Sequence, residues 1–450
     1  MLNQNRLNYV PSVSNSVTLL SRRVVLFPLC FFQFYLTATV IVFATGPWPW
    51  PVPDPFSLYL YLFCTQLALW LGYGVGLTFH RGGYYSFLKI NSIIKISLIL
   101  NLVWIVPTFM LRMNVGTFNA ADIMNAIANG FTNPGANYLA KAENLSKLQG
   151  TPIFGYVSLL ISPVLWLLVP LAVVYWDRLT LVTRSLFVFF VIADVMSWVA
   201  IGTNKGIADY VILLPWLLIA KKPEFIAKIR FVSTLKFLVV CVLGFVLLFS
   251  FFSFGMYGRG HESIPTYDAA TGVEIDRGNW MVCLLPSEGQ GAVAMFAYYL
   301  TQGYYALSLA IEEPFISSYG VGNSFYLTGL VERFVGQGVV SDITYPARIE
   351  KYGWDRLSQW HSFYVWIASD VSFFGVLVVV FLVGQLFAMV WLDVLMKLNP
   401  FAVALFAMLI IMLFYFPANN QVLAFSGTAN SFFVFLACWL FTRKRYILGA

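Results

Sequence analysis

The sequence predicts an all-α, polytopic membrane protein of about ten transmembrane helices, and three observations carry this. Of 450 residues, 60% are apolar and 10% charged, against about 25% charged in an ordinary soluble domain. A mean hydropathy of +0.77 leaves too little polar surface to cover a water-soluble globule. The apolar residues gather in long runs, and about 20 residues of helix cross a ~30 Å hydrocarbon layer. A soluble enzyme, a disordered chain and a nucleic-acid-binding module are excluded as main readings.

The first twenty residues are polar and rich in Ser and Asn. Ser21-Arg22-Arg23 then opens an apolar run with no small-residue cleavage site, so this run is expected to stay as an anchor. Spans are predicted at 24–46, 56–79, 90–112, 155–176, 185–202, 206–220, 231–254, 373–395, 400–416 and 428–442. The net charge of +7 sits at the edges of these runs. Arg22 and Arg23, Arg81 and Lys89, Arg178 and Arg184, Lys221 to Arg230, Lys397, and Arg443 to Arg445 all fall on one side of a ten-span map. By the positive-inside rule that side is cytoplasmic and holds both termini.

Four connections lie opposite. Residues 46–55 (GPWPWPVPDP) suit a rigid interfacial turn. Residues 113–154 are polar, and Gly202 to Gly206 form a tight turn. Residues 255–372 carry six basic against twelve acidic side chains. The chain thus divides into a bundle at 1–254, a large outer segment at 255–372 and a second bundle at 373–450. Within the outer segment, 291–311 is long enough to span, but its Tyr, Gln, Gly and Thr content favours an interfacial helix.

Only five cysteines occur, with no CxxC pair and no disulfide framework. Glu274-Ile275-Asp276 has a spacing compatible with a divalent cation, yet stands in a Gly/Thr-rich turn beside Arg277, where a solvated loop is the simpler reading. No metal site and no cofactor is expected. Asp194 falls ~12 Å inside a span. A carboxylate there costs ~2.5–3.5 kcal/mol unless it is paired or faces a cavity.

The strongest candidate for chemistry is His361, in His361-Ser362-Phe363-Tyr364 leading to Asp370 and Gly375. One of three histidines, it would stand at the outer edge of the membrane, before the helix of the eighth span. A histidine there can take a proton from a hydroxyl, and a helix N-terminus disfavours its charged form. The plainer alternative is an interfacial histidine tied to a backbone carbonyl.

This segment resembles the signature of the O-antigen ligase and Wzy-type O-antigen polymerase superfamily. That signature runs His-Asn/Ser-x-Tyr, an acidic residue nine after the histidine, then Gly-x-x-Gly. His361, Ser362, Tyr364, Asp370 and Gly375 match it, while Ser372 replaces the first glycine. The stretches Gly303 to Leu307, Glu313 to Phe315 and Tyr319 to Ser324 also resemble polymerases of this group. The resemblance implies a GT-C-like glycosyltransferase of the bacterial inner membrane. It would join undecaprenyl-pyrophosphate-linked repeat units on the periplasmic face, with inversion and without a metal. A chain-length regulator is an implied partner. A ligase acting on another acceptor and a lipid-linked glycan flippase are the alternatives.

The leaving pyrophosphate needs cations, and the arginine fork suits it. Arg259, Arg333, Arg348 and Arg356 are the candidates, each with a plainer reading as a loop ion pair. Lys205 stands where the family often has an arginine, and could instead pair with Asp209 one turn on. Asp370 and Tyr364 are expected to support the site rather than react, because nine residues along a straight helix turns Asp370 away from His361.

Overall fold

The computed structural model describes residues 21–80, 83–84, 89–113, 119–138, 152–227, 268, 271–396 and 399–445, with isolated positions between 239 and 253. It is helical. Among the described residues, six helices are long and apolar enough to cross a membrane: α1 (Arg22–Thr45), α2 (Pro55–Thr78), α3 (Ile90–Met113, apolar over Ile90–Met110), α5 (Pro152–Val174, apolar over Gly155–Val174), α6 (Leu181–Ala200) and α10 (Phe363–Leu395). Between and after them come α4 (Ala120–Thr132), α7 (Lys205–Lys221), α8 (Ser287–Ile311), α9 (Phe325–Val335), α11 (Pro400–Tyr415) and α12 (Ser426–Thr442). Two residues at Gly83–Tyr84 pair antiparallel with Lys444–Arg445.

The helix starts are legible in the residues. Asp54 caps α2 by accepting from the amides of Phe56 and Ser57, with Pro55 in the first turn. Asn399 and Pro400 do the same for α11. Phe34, Phe63, Trp70 and Phe189 stand exposed on α1, α2 and α6, as lipid-facing side chains would. In α11 every residue from Ala402 to Leu413 is buried. A helix apolar all round belongs in the centre of a bundle.

The closest pairing is between α2 and α10, which run parallel. A Cβ on Gly72 would lie 1.9 Å from the Phe381 carbonyl oxygen, and one on Gly384 would lie 2.4 Å from that of Leu69. Small residues let the two backbones meet.

The bundle has two distinct ends. At one, Asn91 donates to the Arg178 carbonyl, Lys221 pairs with Asp177 at 3.0 Å, and the Tyr73 hydroxyl reaches the Val25 carbonyl. The basic clusters at Arg22–Arg23, Arg178, Lys221 and Arg443 therefore share this end. At the other end, Trp48 donates to the Ala294 carbonyl and Trp50 to the Thr301 hydroxyl. Glu313, just past α8, pairs with Arg348 and Lys351. Ala294 and Thr301 within α8 and Glu313 just past it thus all meet segments on this side, so the helix lies along this end of the bundle. Its Thr301–Ala310 half is wholly buried, so it is a lintel under other segments rather than a helix resting in lipid.

Nine of the ten predicted spans fall on helices; 231–254 lies outside the described residues but for isolated positions. Two adjustments follow. The helix predicted at 373–395 begins at Phe363, interrupted at Ser372 (φ +66°, ψ 167°). The outer segment, where described, is mostly short helices and turns. Among the described residues the main hydrophobic core draws on side chains from Val24 to Trp439, and Phe109, Ala126 and Ala200 form a small second cluster.

Candidate functional site

The chain reaches His361 through a clamped segment. The Trp360 amide donates to Gln302 on α8 at 3.1 Å, and the Phe363 amide donates to the Phe416 carbonyl at 3.1 Å. The Trp354 indole donates to the Trp360 carbonyl. The clamp requires a glycine on α8: a Cβ at Gly303 would lie 2.2 Å from the Pro417 carbonyl oxygen and 3.0 Å from the Ser362 amide.

His361 is 1% exposed. Its Nδ1 lies 3.0 Å from the Gln359 carbonyl oxygen. A carbonyl only accepts, so Nδ1 carries the proton and Nε2 presents a lone pair. That Nε2 atom is buried with no hydrogen-bond partner. Burial drives the imidazole pKa down to about 3, against the opposing pull of the Gln359 carbonyl and Asp355. The ring is therefore neutral at physiological pH.

On the His361 segment and the turn between α11 and α12, three more buried polar atoms lack partners: Ser362 Oγ, the Trp366 indole nitrogen and Gln421 Oε1. The Trp366 ring is 5.8 Å from that of His361, edge-on. Gln421 lies on the turn between α11 and α12, beside Asn420, which donates to the Asn323 carbonyl. Native proteins seldom leave such atoms unmatched, because each costs about 1–3 kcal/mol. Here they are two acceptors, one donor and one hydroxyl.

Asp370 does not touch His361. Its Oδ1 accepts from the Ser318 hydroxyl and the Gly322 amide, and its Oδ2 from the amide and side chain of Asn323. The carboxylate moors the 317–323 loop. Tyr364 is buried between Tyr61 and Phe416.

The expected cations do not converge on the histidine. Arg348 pairs with Glu313 at 2.9 Å and donates to the Pro314 carbonyl. Arg356 pairs with Asp342 and Glu350 at 2.9 and 3.2 Å. Lys205 pairs with Asp209 at 3.2 Å. Arg333 is exposed at the far end of α9 and donates to the Tyr156 hydroxyl at 3.0 Å; α9 begins at Phe325, whose ring is 4.8 Å from that of Trp366. Arg259 lies outside the described residues. Burial pushes the Glu313 carboxyl up, but hydrogen bonds from Lys351, Tyr352 and Arg348 hold it below the usual carboxylate range. This makes the Arg348 pairing a settled structural contact.

Glu274 and Asp276 are exposed, and Asp276 accepts from the Gly278 amide. No group of three His, Cys, Asp or Glu side chains that could hold a metal occurs among the described residues. Sequence reasoning missed Gln302, Asn323 and Gln421. The polar run Asn419-Asn420-Gln421, set between two apolar helices, was the available signal.

No protein-family model matches the chain, and no curated protein or solved structure matches it significantly.

Proposed function

We propose that the chain is a bacterial inner-membrane glycosyltransferase that polymerises undecaprenyl-pyrophosphate-linked repeat units at the end of the bundle opposite its basic clusters. One observation carries the reading: a neutral, buried imidazole whose Nε2 lone pair has no partner, inside a segment that resembles the polymerase signature. The positive-inside rule makes the basic end cytoplasmic and the His361 end periplasmic.

In this reading the acceptor hydroxyl donates its hydrogen to Nε2. Its oxygen forms a bond to the donor's anomeric carbon, on the face opposite the pyrophosphate. The anomeric carbon–oxygen bond to pyrophosphate breaks, and the pyrophosphate leaves with the electron pair. The proton passes to His361. A buried imidazole is a weak base, so transfer comes late, when the attacking oxygen is already acidic. Of Arg333, Arg348, Arg356 and Lys205, Arg333 is the one that meets a neutral partner rather than a carboxylate, so it could take a pyrophosphate without first breaking an ion pair. Membrane lipid and a chain-length regulator are the partners this activity calls for; no cofactor is needed.

The test uses purified protein and a synthetic undecaprenyl-pyrophosphate repeat unit. A ladder of products from wild type, lost in His361→Ala at equal amounts of folded protein, supports the reading. An unchanged donor with well-folded wild type, or an undiminished ladder from the variant, overturns it.

A further inference from the structure

A cavity of about 340 Å³ lies between α3, α5, α6 and α7. Its polar wall is Asp194, Lys205, Asp209 and Tyr210, and the indoles of Trp104 and Trp198 border it. Asp194 Oδ2 accepts from the Tyr210 hydroxyl at 3.0 Å and from the Trp198 indole at 3.3 Å. Asp209 Oδ2 holds Lys205, while Asp209 Oδ1 is buried with no hydrogen-bond partner. The Trp198 ring lies flush on the backbone of α7, since a Cβ at Gly206 would be 2.2 Å from it.

The chemistry narrows the occupant. An acyl chain would leave Asp209 Oδ1 unmatched. Two carboxylates against one ammonium repel a phosphate, so Lys205 is not a pyrophosphate ligand here. Lys205 already occupies the place a small cation would take. What remains is a neutral molecule with hydroxyl donors for the carboxylate and apolar ring faces for the indoles. The volume is that of a small-ligand pocket and suits a sugar ring or two.

We infer that this cavity is a saccharide subsite, in which Asp209 accepts hydroxyl hydrogens and Trp198 packs against the ring. As a subsite for the glycan chain it rests on the glycosyltransferase reading; as a binding site it does not. Asp194 and Tyr210 position Trp198.

The test is photolabelling of the protein in nanodiscs free of sugar detergent. The probes are octyl glucoside, octyl galactoside and octyl N-acetylglucosaminide bearing a diazirine on the sugar, with the same reactive group on octyl tetraethylene glycol as control. At least one glycoside is expected to label peptides containing Trp198 and Tyr210. Its unlabelled form should compete the label away, and the glycol ether should not. Asp209→Asn is expected to cut labelling by about tenfold, the effect of losing a hydrogen bond to a charged acceptor. Equal labelling by control and glycosides, or label that no glycoside competes for, overturns the proposal. The wild-type competition stands even if the variant misfolds. Lost labelling with an intact, His361-dependent ladder refutes the subsite alone. Specific labelling with an undiminished His361→Ala ladder refutes the glycosyltransferase reading alone.

Discussion

Two buried histidines sit at opposite ends of this bundle and are treated in opposite ways. His80 at the basic end is enclosed. Its Nε2 donates to Asp393 at 2.7 Å, and the same carboxylate takes the Trp439 indole at 2.7 Å and stands 3.5 Å from Arg443. His361 at the other end is more deeply buried, yet its Nε2 faces no partner. The first arrangement welds the end of α12 to α10 and α2. The second leaves a buried acceptor unmatched. Burial alone therefore does not separate the two histidines; what Nε2 meets does.

The comparison breaks if the two residues respond alike to removal. His361→Ala is expected to lower polymerisation by 10²–10⁴-fold, the usual worth of a positioned proton acceptor, with little change in the yield of folded protein. His80→Ala should do the reverse. It leaves a buried carboxylate short of a partner, at a cost of about 3–5 kcal/mol, while activity per folded molecule holds. Unfolding in mixed micelles alongside the ladder assay separates the two. Equal losses of stability in both variants would make His361 another structural histidine.

Acidification sharpens the contrast. The folded pKa of His361 is depressed to about 3, against about 6.5 in the unfolded chain. The unfolded state therefore gains a proton first as pH falls. The stability held above pH 6.5 should decline from there down to about pH 3, by about 1.4 kcal/mol per unit at most. His361→Ala should flatten that part of the curve. The acid limb of activity should show no His361 ionisation near pH 6.5. A limb at that pH abolished with the histidine would place the ring in contact with solvent.

Much of the architecture was legible because it rests on hydropathy and local caps. Asp54-Pro55 and Asn399-Pro400 announce their helices, and the basic clusters mark one end. The helix interruption at Ser372 was not legible, because an apolar run does not show where its axis turns. The His80–Asp393 contact joins residues 313 positions apart, and no pattern along the chain links them. At the candidate site, the separation of Asp370 from His361 was readable from spacing. For the cations the plainer alternative is what the structure shows, since Arg348, Arg356 and Lys205 each meet a carboxylate; Asp209 was legible one turn from Lys205, whereas Glu313 and Asp342 lie too far along the chain from their arginines for spacing to name them.

Asp370 offers a smaller test at the His361 end. Asp370→Asn replaces an acceptor of four hydrogen bonds with one that must turn a donor toward the Ser318, Gly322 and Asn323 groups. A loss of about 1.5–3 kcal/mol is expected, together with faster proteolysis of the 317–323 loop. Intact protection of that loop would mean the carboxylate is not its mooring.

The finest test is Ser372, the residue that stands where the resembling signature has its first glycine. Its φ of +66° with ψ 167° lies in a region that is essentially glycine's alone, costing about 1–3 kcal/mol for any other residue. The strain turns the Asp370 segment onto the 317–323 loop before α10 resumes its course. Serine recovers part of the cost, because its Oγ accepts from the Gly375 amide at 3.4 Å and caps the resumed helix. Ser372→Gly removes the strain and loses a few tenths for the cap, so a gain of about 0.5–2 kcal/mol is expected. Ser372→Ala keeps the strain and loses the cap, so it should fall below wild type by about 1 kcal/mol. The order glycine, serine, alanine in unfolding stability tests the turn itself. Alanine equal to glycine would show that position 372 is not strained, and the Asp370 segment would then have to be held by the loop alone.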